Sequence, residues 1–477
     1  MSIEELLNKI SAFVWGFPLI ILILLTGIIF TIKLKFVQIF KLPLAFKYLF
    51  CNREKGSGEV SSFGALCTSL AATIGTGSII GVATAIKAGG PGALFWMCIA
   101  AFFGMAVKYA ECLLGVKYRR FFNNNEVCGG PFYYIEKGMG KKFKWLAVLF
   151  AFFGCFAALF GIGTMVQSNS ISTSVVSFFN VKNNSFIVML GIGIIVSLLS
   201  GMVILGGIKR IASVSQIVIP FMSVFYLFGC LLIICFNIDK LQDTISLIFK
   251  SAFSFTSAIG GFAGAGVMAA VRIGIARGIF SNEAGLGSEP IAAAAAKTNY
   301  PPKQGLISMT GTFIDTILIC NLTGIVLIIT GAWKSGLDGA AMTNTAFESG
   351  FFFMPILGKI IVTAGLVFFA FTSIIGWCYY GERCAKYLWG DKAVKYYHFT
   401  YILFVFAGSI ISISMVWHIA DIFNGLMALP NLIAVLFLSK IVKDETNKYF
   451  SSLKYKNKTA EASPRPTKKI KTSVNLN

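Results

Sequence analysis

Residues 71–81 read AATIGTGSIIG and residues 259–267 read IGGFAGAGV, and these two stretches decide the fold. Each lies within an apolar run that is otherwise long enough to cross a membrane as a helix. Glycine in a helix interior costs about 1 kcal/mol relative to alanine, so several glycines within one turn favour local unwinding. Glycine also lines close-packed membrane helices, which is the alternative for either stretch taken alone. Their matching positions in the two halves of the chain favour a pair of broken helices.

The composition is that of a membrane protein. Of the 477 residues, 56% are hydrophobic and only 13% are charged, and the mean hydropathy is +0.78. So few charged side chains cannot cover a water-facing surface, because soluble domains carry about 25%. The apolar runs last about twenty residues without alternation at period two, which favours helices over a β-barrel. We therefore predict an all-α polytopic membrane protein of about eleven transmembrane helices.

The apolar runs also predict how the chain is divided. The predicted spans are 12–32, 63–86, 91–115, 145–178, 184–205, 211–236, 251–276, 305–332, 353–380, 397–414 and 417–438. A more polar segment, 338–350, is predicted to be a surface or re-entrant helix. The predicted units are an N-terminal extra transmembrane helix with a cytoplasmic loop (1–62), two five-helix repeats (63–236 and 237–440) and a disordered, basic cytoplasmic tail (441–477). Five helices per repeat give the two halves opposite topologies, as in inverted-repeat transporters.

The formal net charge of +21 comes from Lys and Arg that fall mainly on alternate loops between the apolar runs. Such a distribution orients a protein in a bilayer, so it favours a membrane rather than nucleic acid as the partner. It predicts a bacterial-type inner-membrane protein with its N-terminus outside and its C-terminus in the cytoplasm. Only two His are present, and the eleven Cys have no paired spacing, so we expect no His-based metal site, no zinc site and no disulfide framework.

The predicted breaks form a binding site for a small zwitterion and a cation. A helix broken within lipid leaves N–H and C=O groups that need partners. The N–H groups near Thr76, Gly77 and Ser78 would hold a carboxylate, and freed carbonyls of both breaks, including the region of Gly264 and Gly266, would hold an ammonium group or Na⁺. Neither break contains a charged side chain, which favours a neutral substrate.

Several motifs make the chain similar to the alanine or glycine:cation symporter family. They are Gly75-Thr76-Gly77, Gly89-Gly90-Pro91-Gly92-Ala93-Leu94-Phe95-Trp96-Met97-Cys98, Tyr109-Ala110-Glu111, Gly129-Gly130-Pro131, the string RGIFSNEAGLGS from Arg277 to Ser288, and Phe313-Ile314-Asp315-Thr316. The resemblance extends to about Lys440 and implies a leucine-transporter-like inverted repeat that carries alanine or glycine with Na⁺. Ser78 stands where the family usually has Asn, and Cys98 stands where it usually has Trp.

The resemblance also implies that the third and eighth core helices contribute to the site. On the eighth, Thr372 and Ser373, with carbonyls near Ile74, suit Na⁺ because hard cations prefer oxygen ligands. Both hydroxyls could instead bond to the preceding helical turn. On the third, Gln167 would meet the substrate carboxylate or join two helices. Trp377 would limit the pocket to small side chains, or would pack in the core or against lipid.

Asp315, Lys108 and Glu111 are charged residues that lie within predicted spans. An intramembrane carboxylate is costly and is therefore a functional candidate. Asp315 would carry a proton, take part in a cation network, or cap Thr316 and Asn321. Lys108 and Glu111, three residues apart near a helix end, are expected to pair or to snorkel.

These features predict a secondary active transporter that imports small neutral amino acids with Na⁺ by alternating access. The sequence contains no phosphate-binding loop of the ATPase type, so an ion gradient would supply the energy. The alternative on the same scaffold is an H⁺-coupled or uncoupled amino-acid exchanger or facilitator. A membrane enzyme would require a nucleophile with a nearby base, or a cluster of metal ligands, and the sequence shows neither pattern. We expect no cofactor besides the coupling ion Na⁺ and no obligate protein partner.

Overall fold

A computed structural model describes residues 3–51, 56–122, 126–181, 185–253, 267–411 and 413–462, and most of them are helical. The first half contains α1 (Ile3–Val14), α2 (Phe17–Lys33), α3 (Val37–Phe40), α4 (Leu42–Cys51), α5 (Ser62–Thr73), α6 (Val82–Gly89), α7 (Gly92–Lys117), α8 (Pro131–Tyr134), α9 (Lys144–Phe160), α10 (Met165–Phe178), α11 (Ser185–Ile204) and α12 (Gly207–Phe236). The second half contains α13 (Leu241–Phe253), α14 (Val267–Asn282), α15 (Glu289–Ala293), α16 (Pro301–Thr312), α17 (Asn321–Ile329), α18 (Gly339–Gly350), α19 (Pro355–Trp389), α20 (Asp391–Gly408), α21 (Ile413–Phe437) and α22 (Ser439–Ala462).

Shorter elements join these helices. The π-helical segments are Gly77–Gly81, Ile135–Met139 and Phe313–Cys320, and the 3₁₀ turns are Lys141–Phe143, Ile238–Lys240 and Ala332–Lys334. A small antiparallel sheet pairs β1 (Arg120–Phe121) with β2 (Val127–Cys128) in the loop after α7.

Eight helices in the described ranges are long and apolar enough to cross a membrane, and the number is nine if the bent pair Ser62–Thr73 and Gly77–Gly89 is counted as one span. These correspond to nine of the eleven predicted spans. Of the other two, the span predicted at 251–276 falls partly outside the described residues, and the span predicted at 397–414 overlaps α20. The all-α membrane architecture is confirmed, while the count of eleven spans stays a prediction.

The first predicted break is present between α5 and α6. The helix α5 is capped by Ser61, whose Oγ accepts a hydrogen bond from the Gly64 N–H at 2.9 Å. After Thr73, Ile74 is extended (φ −76°, ψ 94°), and the chain resumes as a π-helix at Gly77 with its two arms bent by 53°. The second predicted break, with Gly264 and Gly266, lies outside the described residues.

The span predicted at 145–178 contains an interruption that the sequence analysis missed. Residues 161–164 are not helical, and they separate α9 from α10. Tyr401 on α20 stabilises this turn, because its hydroxyl lies 2.7 Å from the carbonyl oxygens of both Gly163 and Ile374. The turn sets the direction of α10, which carries Gln167.

Long helices enclose the first break. The helix α19 packs against α5, α9 and α10, while α7 packs against α14 and α16. Glycines allow the closest approaches, since a Cβ on Gly376 of α19 would lie 2.9 Å from the Ala72 nitrogen of α5. The segment predicted as a surface or re-entrant helix is α18, which packs over the π-helix Gly77–Gly81 and α19. It therefore covers the second arm of the break.

The predicted disorder of the tail is wrong for residues 441–462, which continue in α22. Four buried residues recur at helical spacing, namely Leu438, Val442, Thr446 and Tyr449. Thr446 Oγ1 lies 2.9 Å from the Tyr109 hydroxyl of α7, so this face packs on the bundle. The exposed charged residues Lys440, Lys443, Asp444 and Lys448 occupy other faces of the helix. Residues after 462 lie outside the described ranges.

We predict that Tyr449→Ala lowers the free energy of unfolding by about 3 kcal/mol, because truncating a buried aromatic side chain leaves a cavity. Tyr449 is 7% exposed, and its hydroxyl donates to that of Tyr48 at 3.1 Å. Thermal unfolding of the purified protein in detergent measures the effect. Lys448→Ala changes the neighbouring exposed residue and should leave the unfolding temperature unchanged. An equal unfolding temperature for both variants would show that α22 does not pack on the bundle.

Candidate functional site

The first break faces Gln167 of α10. The Thr76 N–H donates to Gln167 Oε1 at 3.4 Å, and Gln167 Nε2 donates to the Ile162 carbonyl at 3.0 Å. All three residues are buried. Gln167 therefore links the break in one helix to the turn between α9 and α10, which is one of the two roles predicted for it.

Ser373 of α19 reaches the same point. A Cβ on Gly75 would lie 3.3 Å from Gln167 Oε1 and closer still to Ser373 Oγ, so only glycine fits between them. Ile74, the residue before Gly75, is fully buried in its extended conformation. The structure thus brings Ile74, Thr76, Gln167 and Ser373 together around one glycine.

Thr372 and Ser373 both bond to the preceding turn of their own helix. Thr372 Oγ1 and Ser373 Oγ donate to the Phe369 carbonyl at 2.9 and 3.0 Å, and both side chains are fully buried. The local bonding expected as an alternative is therefore present. It does not compete with cation binding, because a hydroxyl that donates its hydrogen still has oxygen lone pairs for a cation.

A second polar cluster joins two π-helical segments. Ser78 in Gly77–Gly81 donates from Oγ to Oδ1 of Asp315 in Phe313–Cys320 at 2.6 Å. Ser281, near the end of α14, donates to Asp315 Oδ2 at 2.8 Å, and its Oγ lies 3.2 Å from Ser78 Oγ. Gly77 packs on the same residue, since a Cβ on Gly77 would lie 3.2 Å from the Ser281 Cα. π-Helical segments are frequent at functional sites.

Hydroxyl groups surround Asp315. Thr316 Oγ1 donates to Asp315 Oδ2 at 2.8 Å and accepts from Asn282 Nδ2 at 3.1 Å. Asn321 does not cap the carboxylate, because its Nδ2 donates to the backbone carbonyls one turn earlier. In the part of the chain that the structure describes, no basic side chain forms an ion pair with Asp315. A cation or a proton would therefore meet a carboxylate that is already oriented by its neighbours.

Trp377 lies in the core and not against lipid. It is fully buried, and its Nε1–H donates to Glu283 Oε1 at 3.0 Å. Its Cβ would lie 2.7 Å from a Cβ placed on Gly163, so it packs directly on the turn between α9 and α10. Trp377 thus connects that turn to the segment after α14.

The sequence analysis missed a buried charge cluster. Lys108 pairs with Glu289 at 2.9 Å rather than with Glu111, and none of these side chains snorkels to the surface. The expected pairing was therefore wrong, because residues 283–288 turn back and bring α15 against α7. The sequence did offer a signal for this cluster. Glu283 lies within the string RGIFSNEAGLGS, and Glu289 directly follows it, so two acidic residues accompany the motif.

The sequence is similar to those of known membrane transporters. The model of the Sodium:alanine symporter family matches residues 1–463. The sodium/alanine symporter AgcS of Methanococcus maripaludis is 48% identical over 457 residues, which cover 94% of this chain and 98% of that protein. An uncharacterized transporter of Haemophilus influenzae is 55% identical over 455 residues, which cover 95% of this chain and 98% of that protein.

The fold also matches a solved structure. The crystal structure of MhsT in complex with L-phenylalanine superposes with a TM-score of 0.57 at 12% sequence identity, over 83% of this chain and 99% of that one. At this identity the likeness concerns the fold alone. It confirms the predicted leucine-transporter-like arrangement.

We predict that Trp377→Phe lowers the free energy of unfolding by about 1–3 kcal/mol, because it leaves a buried carboxylate oxygen of Glu283 without its donor. Trp145→Phe is the matched control, since Trp145 on α9 is 60% exposed. Thermal unfolding of both variants and the wild type measures the difference. Equal unfolding temperatures would show that the bond between Trp377 and Glu283 contributes nothing.

Proposed function

We infer that this chain, which belongs to the sodium:alanine symporter family, imports small neutral amino acids such as alanine and glycine together with Na⁺ by alternating access. Membership of that family makes it a multi-pass membrane transporter and not an enzyme. The observation that carries the finer proposal is the meeting of a broken helix, a neutral amide and a pair of hydroxyls at one buried point.

The substrate carboxylate would bind at the N–H groups that open the second arm of the break. The bond between the Thr76 N–H and Gln167 is 3.4 Å long, so replacing it with a charge-assisted bond to a carboxylate is favourable. Thr76 Oγ1 is buried and has no hydrogen-bond partner among the described residues, which leaves it free for a ligand. Gly77 and Ser78 would line the same pocket, and Trp377 would bound it toward the substrate side chain.

The ammonium group of the substrate would bind carbonyls of the second break. Gly264 and Gly266 are the proposed positions, and they lie outside the described residues. The side chain bonded to the Thr76 N–H is the neutral amide of Gln167, which supports a substrate without net charge.

Na⁺ would bind between the Ile74 carbonyl and the hydroxyl oxygens of Thr372 and Ser373. The two hydroxyls give their hydrogens to one carbonyl of their own helix, and their oxygens are fully buried. Hard cations take such oxygen ligands. Asp315 would belong to a second ion or proton network, which Ser78 joins to the substrate pocket.

We also propose that the protein lies in a bacterial-type inner membrane with its N-terminus outside and its C-terminus in the cytoplasm. The alternation of basic and sparse loops supports this orientation. The basic residues on the exposed faces of α22 agree with a cytoplasmic C-terminus, where anionic lipids are found.

Uptake of labelled alanine into proteoliposomes tests the cation site. We expect uptake to be faster with an inward Na⁺ gradient than in choline medium. The double variant Thr372→Val with Ser373→Ala should raise the Na⁺ concentration for half-maximal uptake by about tenfold or more, since two oxygen ligands are removed. Ser213→Ala and Thr330→Val are the matched controls, because these hydroxyls make the same kind of helical bond, at 2.8 and 2.7 Å, on α12 and after α17.

Equal uptake in Na⁺ and choline media would contradict Na⁺ coupling. The H⁺-coupled or uncoupled exchanger would then be favoured, and the buried carboxylate of Asp315 is the observation that favours it. Repeating the assay with an imposed pH gradient separates the H⁺-coupled form from the uncoupled one.

Ser78→Asn tests the substrate pocket. The Ser78 hydroxyl lies 2.6 Å from Asp315 Oδ1 and is fully buried, so a longer amide side chain must displace its surroundings. We expect a changed ratio of alanine to glycine affinity, measured by competition against labelled alanine. Ser213→Ala again serves as the control, and an unchanged ratio for Ser78→Asn would place residue 78 outside the substrate pocket.

A further inference from the structure

The buried charge cluster has no part in the function proposed above. It consists of Lys108 and Glu111 on α7, Glu283 after α14, and Glu289 at the start of α15, and each is at most 1% exposed. Three carboxyl groups face one ammonium group in this cluster. Full ionisation would leave uncompensated negative charge in the interior, which is unfavourable because a buried ion loses its hydration.

Two of the carboxyl groups have partners that suit negative charge. Glu289 Oε2 lies 2.9 Å from Lys108 Nζ. Glu283 accepts a hydrogen bond from Trp377 Nε1 at 3.0 Å on one oxygen and another from the Ser288 hydroxyl on the other. Glu289 is therefore stabilised by an ammonium group, although its Oε1 is buried without a hydrogen-bond partner in the described residues, and Glu283 is stabilised by two donors.

Glu111 differs from both, because among the described residues it has neither an ammonium partner nor a second hydrogen-bond donor. Its Oε1 accepts from Asn431 Nδ2, which also donates to the Gly285 carbonyl at 2.9 Å. Its Oε2 is buried and has no hydrogen-bond partner in the described part of the chain. An ionised carboxylate with one unpaired buried oxygen is unfavourable, whereas the neutral acid avoids the uncompensated charge.

Among the described residues around Glu111, we find no positive charge without a partner. The titratable groups that face this carboxyl and its cluster are Lys108 and Cys112 on α7, Glu283 after α14, Glu289 on α15, Tyr134 on α8 and Tyr380 on α19. Lys108 is the one cation among these groups, and it is paired with Glu289. Tyr134 donates to Asn431 Oδ1 and so orients the amide toward Glu111.

We propose that Glu111 is a proton-binding site that is neutral in this conformation, and that release of its proton to water slows transport. The connection to the substrate site runs through three consecutive residues. Ser281 bonds to Asp315, Asn282 bonds to Thr316, and Glu283 bonds to Trp377. The Gly285 carbonyl, two residues later, shares Asn431 with Glu111. A charge on Glu111 therefore acts on the segment that contacts Trp377 of the proposed substrate pocket and Asp315 of the proposed ion or proton network.

The pH dependence of alanine uptake in Na⁺ medium tests this proposal, and this readout rests on the proposed function. Wild-type uptake should fall as the pH rises from neutral to mildly alkaline values. Glu111→Gln keeps the acceptor for Asn431 and stays neutral. The rate of alanine uptake by this variant should therefore remain at its neutral-pH value over the same range. An alkaline fall equal to that of the wild type, or loss of uptake at every pH in a folded variant, would overturn the proposal.

Glu445→Gln is the matched control for that assay. Glu445 on α22 pairs with Lys117 at 2.6 Å and is 29% exposed, so it is a carboxylate in a partly hydrated ion pair. Its variant should follow the wild-type pH profile. A flattened profile for Glu445→Gln would show that the effect is not specific to Glu111, which also overturns the proposal.

Thermal unfolding without substrate gives a second test that does not depend on transport. The unfolding temperature of the wild type should fall as the pH rises, because ionised Glu111 is unfavourable in the fold. The unfolding temperature of Glu111→Gln should fall less over the same range. Equal slopes for the two proteins would overturn the proton site even if transport is as proposed. Absence of Na⁺-dependent uptake by the wild type would instead overturn the proposed function alone. If Glu111→Gln fails to fold, Glu111→Met, neutral and of similar length, takes its place in both assays.

Discussion

A helix broken inside a membrane exposes peptide groups that lipid cannot satisfy, and much of this structure is arranged around that constraint. The break after Thr73 is closed off by side chains from two other helices. Gln167 accepts from the Thr76 N–H, and it can do so because α9 and α10 are themselves separated by a turn that Tyr401 holds. One irregular helix is thus stabilised by a second irregular helix, so neither could be straightened alone.

The same constraint explains why Asp315 lies among hydroxyl groups. Ser78, Ser281 and Thr316 each donate to one carboxylate, and they come from three different elements. Charge-assisted bonds are about twice as strong as neutral ones, so a carboxylate holds these elements together more firmly than an amide would. Both π-helical segments contribute to the cluster, one with Ser78 and the other with Asp315 and Thr316. The irregular backbone and the buried charge therefore belong to one arrangement.

Local composition predicted local features, and it failed where distant segments meet. The glycines around Thr76 predicted the first break, and the polar segment 338–350 predicted α18 as a helix. The partner of Lys108 could not be predicted, because Glu289 reaches it through a chain reversal at residues 283–288. The helix α22 was missed because the buried face formed by Val442, Thr446 and Tyr449 carries too few apolar residues to show a helical period in the sequence. The turn between α9 and α10 had a signal in Gly161 and Gly163, which flank Ile162.

The contacts around the break differ in strength, and that difference bears on coupling. Ser78, Ser281 and Asp315 join the second arm of the break to α14 and to the π-helix after α16 by bonds of 2.6 and 2.8 Å. Toward α10, the break has the 3.4 Å bond to Gln167, and the hydroxyls of α19 are bonded to their own helix. In the proposed mechanism the substrate and Na⁺ fill this weakly bonded side, one against Gln167 and the other against Thr372 and Ser373. In that mechanism the substrate would join the break to α10 and Na⁺ would join it to α19, so each ligand would stabilise the arrangement of helices that the other requires. Such mutual stabilisation is the thermodynamic condition for symport.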